Sequence, residues 1–403
     1  VSGPDGLAAA IAASGWERLL AELVRTPSHP GVVRQEERVA ALLAAWLRGH
    51  GIDAVLDEAA PGRPNVIARV RGRATGPTLV LCGHTDTVPL NVGDPGVGFS
   101  GEIREGRLWG RGACDMKGAL AAMAAALTGL SSTGALGAGE VVLAAIVDEE
   151  MESLGAERLV ASGLTADGAI VGEPTGNRLA LGHKGLEWIE VTFAGRAAHG
   201  GTPEAGINAI AAASRFCCLV EDELRPALAR RPHPMLGPPT VNLGTIRGGD
   251  QASTVAASCA VTLDRRTVPG ESYAEVVAEL RPLLARVEAG APGLTTSIRR
   301  VPGGMATLEH LPTFIDDGHP LARSVADARS AVTGRAEPAT VFPAWTDASL
   351  LANFARIPCV VIGPGDLALA HSPLENVPLT EVAEAALIYA GAAVRFTAPG
   401  GRA

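Results

Sequence analysis

Leu108-Trp109-Gly110-Arg111-Gly112-Ala113-Cys114-Asp115-Met116-Lys117-Gly118 runs directly into the alanine-rich stretch Ala119 to Leu130. The glycines suit a loop that needs unusual backbone angles or close backbone approach, and the alanine-rich run behind them predicts a helix. A lone aspartate in such a loop is ordinarily a turn or helix-cap residue. Asp115 is set apart because four other apolar strands also stop at His, Asp or Glu.

Working outward, the apolar run Thr78 to Cys82 stops at Gly83-His84-Thr85-Asp86, and Val141 to Val147 stops at Asp148-Glu149-Glu150. Gly168 to Val171 stops at Gly172-Glu173-Pro174-Thr175, and Cys359 to Ile362 leads through Gly363-Pro364-Gly365 to His371. Helical spacing predicts helices over Leu7 to Val24, Arg34 to Arg48, Leu154 to Ala161, Pro320 to Val332, Asp347 to Phe354 and Thr380 to Phe396. Asp94 to Leu108 reads as a hairpin. The alternation of strand and helix predicts an α/β domain with a mostly parallel sheet. From Lys184 the pattern changes to strand, helix, strand, strand, helix, strand, a compact βαββαβ unit. Strand–helix units resume afterwards, so the expected organisation is one domain over 1–183 and 299–403, interrupted by an inserted domain over 184–298.

The chain has 403 residues, enough for two domains with sizeable cores. A net charge of −9, with no basic stripe, argues against a nucleic-acid partner. No run is apolar enough to predict a membrane span, and no secretory signal is read. Six cysteines without a C-x-x-C pair argue against a disulfide scaffold or a cysteine zinc site. Small buried hydrophobes in a reducing compartment are the better reading, which predicts a cytoplasmic location.

Ligands of open α/β sheets gather at the carboxyl edges of the strands, so the His and acidic stops can converge there. Together they offer two imidazoles and several carboxylates, the inventory of a two-metal site. His84 and Asp86 are two apart and point the same way on extended backbone, so Asp86 can accept the second imidazole N–H. Glu149 and Glu150 are adjacent and point apart, so one can bind metal while the other stays free as a base. Mixed imidazole and carboxylate donors favour Zn²⁺ or a similar first-row ion such as Co or Mn.

These five motifs, in this order, resemble the M20 metallohydrolases, a family that includes acetylornithine deacetylase, succinyl-diaminopimelate desuccinylase, aminoacylase and glutamate carboxypeptidase. The resemblance implies a zinc-exopeptidase-like catalytic domain and a ferredoxin-like inserted domain that serves as lid and dimer contact, hence a homodimer. It implies that Asp115 bridges two metal ions, with His84 and Glu173 completing one site and Glu150 and His371 the other. Glu149 is then the general base and Asp86 the partner of His84. The peptide after the bridging aspartate is cis in many members. The implied reaction is hydrolysis of an N-acyl amino acid by metal-activated water.

In the inserted domain, His199 in Ala198-His199-Gly200-Gly201 matches a family histidine that stabilises the oxyanion. Arg266 in Asp264-Arg265-Arg266-Thr267 matches an arginine associated with the substrate carboxylate, with Arg265 leaving the register open by one. Asn242 is a candidate substrate contact, or else a strand-end polar residue. The family's usual Asn-x-x-Pro after Gly248-Gly249 is replaced, with Ser253 for the Asn and Ala256 for the Pro. His183 and Lys184 read as hinge residues, His29, His50, His233, His310 and His319 as surface residues, and Thr346-Asp347 as a helix cap. Competing readings are a carboxypeptidase or dipeptidase using the same metals, a metal-binding relative without catalysis, and a cysteine hydrolase using Cys114.

Overall fold

A computed structural model describes residues 4–93 and 96–398; Asp94 and Pro95, inside the predicted hairpin region, lie outside them. The chain forms two compact units, one of Val1–His183 with Phe314–Ala403 and one of Lys184–Thr313. The second unit therefore continues past residue 298. Leu186 N–H donates to the His310 carbonyl at 2.8 Å, and Arg300 pairs with both Glu187 and Glu309, which ties the stretch after the last strand to the first.

The central sheet of the first unit follows from four buried apolar runs. Ala74–His84 lies between Ala138–Ile146 and Gly168–Val171, and Cys359–Val361 lies beyond Gly168–Val171, all parallel. Residues such as Leu79, Leu81, Val141, Leu143 and Ile170 are completely buried, as expected for strands covered on both faces. Ala54–Ala60 and Arg63–Arg71 extend one side antiparallel, and Ala180–His183 pairs antiparallel with Cys359–Val361. Because the four central strands run the same way, their carboxyl ends share one edge.

Gly118–Thr133 is buried on all sides from Gly118 to Leu130. Its small side chains let it pack closely against Leu379–Phe396, which also packs on Pro320–Thr333. The predicted single helix over Leu7 to Val24 is two, Pro4–Ala12 and Trp16–Arg25. The break is at Gly15, whose left-handed φ of 79° ends helical geometry. The short strands Ala180–His183 and Asn376–Pro378 are too brief to show periodicity in sequence. Among the described residues no helix is long and apolar enough to cross a membrane.

The second unit is a four-stranded antiparallel sheet in the spatial order Thr240–Gly248, Ser258–Thr267, Gly185–Ala194, Thr295–Arg300. Ala209–Leu219 and Tyr273–Ala289 cover one face, burying Ile189, Val191, Phe193, Phe216 and Leu280. With the order of its elements along the chain, this is the predicted βαββαβ arrangement. The predicted helix Asn208 to Leu224 is capped by the Asn208 side chain, which accepts from Ile210 and Ala211 N–H, and winds on through Arg225–Ala229.

Candidate active site

The shared strand edge carries His84, the last residue of Ala74–His84, and beyond it Asp86. Glu149 and Glu150 follow Ala138–Ile146, and Glu173 follows Gly168–Val171. Asp115 arrives from a different direction, in the short helical turn Ala113–Lys117 that precedes Gly118–Thr133. Gly112, at a φ of 81°, makes the entry to that turn, and a Cβ there would meet Thr87 Cγ2 at 2.6 Å. The Asp115–Met116 peptide is cis. His371 has a φ of 60°, a left-handed conformation uncommon for a residue with a side chain.

These side chains converge. His84 Nε2 lies 3.0 Å from Asp115 Oδ1 and 3.9 Å from Glu173 Oε1. His371 Nε2 lies 3.2 Å from Asp115 Oδ2 and 3.1 Å from Glu150 Oε1. Each oxygen of Asp115 therefore faces a different imidazole. Donor atoms of His84, Glu149 and Glu173 lie within 4.8 Å of one another, as do those of His84, Asp115 and Glu150. The adjacent Glu149 and Glu150 thus join different groups, in keeping with side chains that point apart.

Asp86, fully buried, organises this edge. Its Oδ1 accepts from Glu149 N–H at 3.2 Å and its Oδ2 from Glu150 N–H at 3.1 Å. The sequence reading paired its carboxylate with His84. The imidazole Nδ1 in fact lies nearer the Asp86 carbonyl oxygen, at 3.0 Å, than Oδ1, at 3.5 Å. Asp86 therefore orients both His84 and the loop of the two glutamates.

Electrostatics sort the carboxyl groups. Burial pushes the pKa of Glu149, Glu150 and Glu173 up, and neighbouring carboxylates push further. Burial also opposes ionisation of Asp115, but the imidazoles of His371 and His84 outweigh it and hold that carboxyl well below its ordinary range. Bonds to Asp115 and Glu150 raise His371 to about 10. Several buried carboxyls on one small volume, with two imidazole nitrogens among them, form a donor set that fits a pair of divalent cations. Positive charge there would stabilise the ionised forms that burial disfavours.

Thr346-Asp347 opens the helix Ala348–Asn353 as read, with Asp347 in the cap position. Its side chain makes no cap bond to Ala348–Asn353, and the Thr346 hydroxyl accepts from Ala348 N–H instead. The Asp347 carboxyl is buried, its Oδ1 has no hydrogen-bond partner, and burial raises its pKa to about 7. Cys114 fails as a nucleophile: burial and the adjacent Asp115 push its thiol far up, and Sγ donates to the Asp366 carbonyl at 3.2 Å. His183 does stand at the boundary of the two units, as read, but it is fully buried, with Nε2 3.1 Å from Thr346 Oγ1. His310, expected at the surface, is buried as well. The six cysteines are free thiols, though Cys218 is exposed and Cys217 only partly covered.

The remaining candidates stand in the second unit. His199 is exposed, and its Nδ1 accepts from Gly201 N–H at 3.0 Å, so a neutral ring carries its proton on Nε2. Ser253, the residue in place of the family Asn, supports this loop through its backbone, its carbonyl accepting from Gly200 N–H at 2.7 Å. Strand alternation sends the two arginines to opposite faces. Arg265 points into the interior and binds Glu271 and Glu279, whereas Arg266 lies on the open face, held by both oxygens of Asp264 at 2.8 and 3.1 Å. Asn242 is exposed and pairs across from Asp264, within Thr240–Gly248 rather than at its end.

The profile of Peptidase family M20/M25/M40 matches residues 80–395, from the strand that ends in His84 to the closing helix. The chain belongs to that family. This M20 chain is 30% identical to the acetylornithine deacetylase of Proteus mirabilis over 378 residues, covering 90% of this chain and 91% of that protein. It is 32% identical to the acetylornithine deacetylase of Myxococcus xanthus, covering 86% and 87%. Among solved structures, aminopeptidase PepT from Bacillus cereus superposes with a TM-score of 0.76 at 21% identity, over 94% of this chain and 98% of that one. An M20 family metallo-carboxypeptidase from Sulfolobus solfataricus superposes with a TM-score of 0.74 at 20% identity, over 93% and 97%. At these identities the structural likeness speaks for the fold. Family and site together make the chain a metal-dependent deacylase or peptidase.

Proposed function

We propose that the chain hydrolyses the amide of an N-acyl amino acid, freeing the acyl group and the amine. The observation that carries this reading is Asp115, whose two oxygens face His84 and His371 separately at 3.0 and 3.2 Å, the arrangement a bridging carboxylate requires. Asp115, His84 and Glu173 would hold one divalent ion, and Asp115, Glu150 and His371 the other. The imidazole and carboxylate mix favours zinc, with cobalt or manganese as substitutes. When bound, such a pair of ions lowers the pKa of a water and polarises an amide carbonyl.

The chain's own residues do the rest. Glu149 is close to His84 and Glu173 and is the general base: it takes the water's proton and returns it to the leaving amine. Asp86 fixes the Glu149–Glu150 backbone so that base and ligand keep their separate directions. His199 donates from Nε2 to the carbonyl oxygen as it becomes anionic. Arg266 pairs with the substrate carboxylate, for which its planar fork is suited, and must exchange Asp264 for it. Asn242, across from Asp264, contacts the substrate from the same open face. The curated relatives named as deacetylases support an acyl substrate over a dipeptide.

We further infer a homodimer formed through the second unit, which serves as lid. Thr240–Gly248 supports this as an edge strand with one side unpaired and Ile246 half-exposed. The free thiols support a cytoplasmic location.

The test is kcat/KM of the zinc-loaded enzyme on N-acetyl, N-succinyl and N-formyl amino acids against dipeptides. Preference for a dipeptide over every acyl amino acid would move the assignment to a dipeptidase. Glu149→Ala is expected to lose about 10²–10⁴-fold in kcat at full metal content. Near-normal turnover in that variant would remove Glu149 from its role.

A further inference from the structure

Asp115 and His371 are carried on segments far apart in sequence, and neither is fixed by the central sheet's hydrogen bonds. Both segments meet at one buried ion pair. Glu375 is completely buried, and its Oε1 accepts from the consecutive backbone N–H groups of Cys114, at 3.1 Å, and Asp115, at 3.2 Å. Its Oε2 accepts from Arg111 Nη1 at 2.5 Å. Arg111 is itself buried, and its guanidinium goes on to the other segment. Nη2 donates to the His371 carbonyl at 3.2 Å and to Asn91 Oδ1 at 3.0 Å, and Nη1 donates to the Ser372 carbonyl at 3.3 Å.

The chemistry of each contact explains why these residue types are needed. The N–H groups of Cys114 and Asp115 open the turn Ala113–Lys117, where helical geometry leaves donors without intrahelical partners. A carboxylate is the strongest acceptor the chain can bring to two such donors at once. On the other side, His371 has the left-handed backbone already noted, and a bond to its carbonyl helps to hold it there. The backbone completes the clasp. Gly110 N–H donates to the Glu375 carbonyl at 3.0 Å, and Asn376–Pro378 pairs antiparallel with Arg107–Trp109.

We propose that Glu375 and Arg111 are positioning residues for the metal centre, setting the Asp115 turn and the His371 loop against each other so that both imidazoles meet one carboxylate. This rests on the metal-holding reading of Asp115 and His371. The pair touches neither substrate nor ion. It acts through the backbones of two ligands, as outer-shell partners of metal ligands do when they fix orientation.

Glu375→Gln keeps the shape but sets an amide N–H₂ against either the backbone N–H groups or the guanidinium, so one side of the clasp is lost. Arg111→Lys keeps the positive charge and loses the fork that reaches His371, Ser372 and Asn91. Zinc affinity is read by competition with a chromophoric chelator, ligand geometry by the visible spectrum of the cobalt(II)-loaded protein, and folding by circular dichroism and thermal unfolding of the metal-free forms. Each variant is expected to bind zinc roughly 10–100-fold more weakly and to show an altered cobalt spectrum while remaining folded.

A folded variant whose zinc affinity and cobalt spectrum match the parent protein would overturn the assignment and leave the pair as packing. Failure of both variants to fold would overturn it as well, making the pair a scaffold element. None of these readouts uses a substrate. An enzyme that ignores every acyl amino acid thus refutes the proposed function while leaving the clasp standing, and the converse result is equally separable.

Discussion

Replacing Arg63 by Met is expected to be among the most destabilising single changes in the first unit. Arg63 Nε and Nη2 bind both oxygens of Glu36 at 2.7 and 2.5 Å, and Nη2 also binds Asp148 Oδ1 at 2.6 Å. The Glu36 side chain has no exposure and that of Asp148 has 5%. Methionine approximates the volume but leaves two buried carboxylates uncompensated, and breaking a buried pair in this way costs about 3–5 kcal/mol. At roughly 2–3 kcal/mol per molar urea, the first unit's unfolding midpoint falls by about 1–2.5 M. The pH dependence has a definite sign. Burial outweighs Arg63 and already raises the pKa of Glu36 in the folded protein, and loss of Arg63 raises it further. A carboxyl raised on folding favours the folded state below its unfolded pKa and loses that contribution as pH rises through the folded pKa. The deficit of the variant is therefore larger at pH 8 than at pH 5. The assay is urea unfolding of metal-free protein followed by circular dichroism at both pH values. A midpoint change under about 0.3 M, or a deficit that grows on acidification, would refute the reasoning.

Arg265→Met is expected to lower the second unit's stability by about 1.5–3 kcal/mol, because Glu271 and Glu279 lose a buried partner and keep only the half-exposed Arg231. Arg266→Met, on the open face, is expected to leave thermal unfolding nearly unchanged and to raise KM; an unchanged KM would remove it from the substrate site. His199→Gln is expected to lower kcat about 10²–10³-fold with KM and metal content retained, as for loss of one oxyanion donor. Complete chelation is expected to abolish turnover and to lower the thermal midpoint, since ligand at about 1,000 times its Kd stabilises by roughly 4 kcal/mol. Activity that survives full metal removal would end the metal mechanism.

His84, Glu149, Glu150 and Glu173 were legible as polar stops on apolar runs that a parallel sheet brings to one edge, and Asp115 and His371 as polar residues of the glycine-containing loops near them. The order of these six residues carried the family resemblance. The residues that hold them in place were not legible. Nothing in the sequence around Glu375 or Arg63 singles either of them out. What each does depends on partners dozens to hundreds of residues away, which no local pattern records. His310 was misread for a related reason: its sequence neighbours are polar or turn-forming, but tertiary packing covers it. Which arginine of the pair is buried needed only strand alternation, once the bounds of Ser258–Thr267 were known.

The distribution of the converging side chains along the chain bears on biosynthesis. His84 is made well before His371, and the proposed clasp on the His371 loop needs Glu375, later still. A nascent or truncated chain ending before this point presents carboxylates that repel one another and half a set of donors. Metal acquisition would then act as a checkpoint: only a chain extended past Glu375 can close the second half of the donor set.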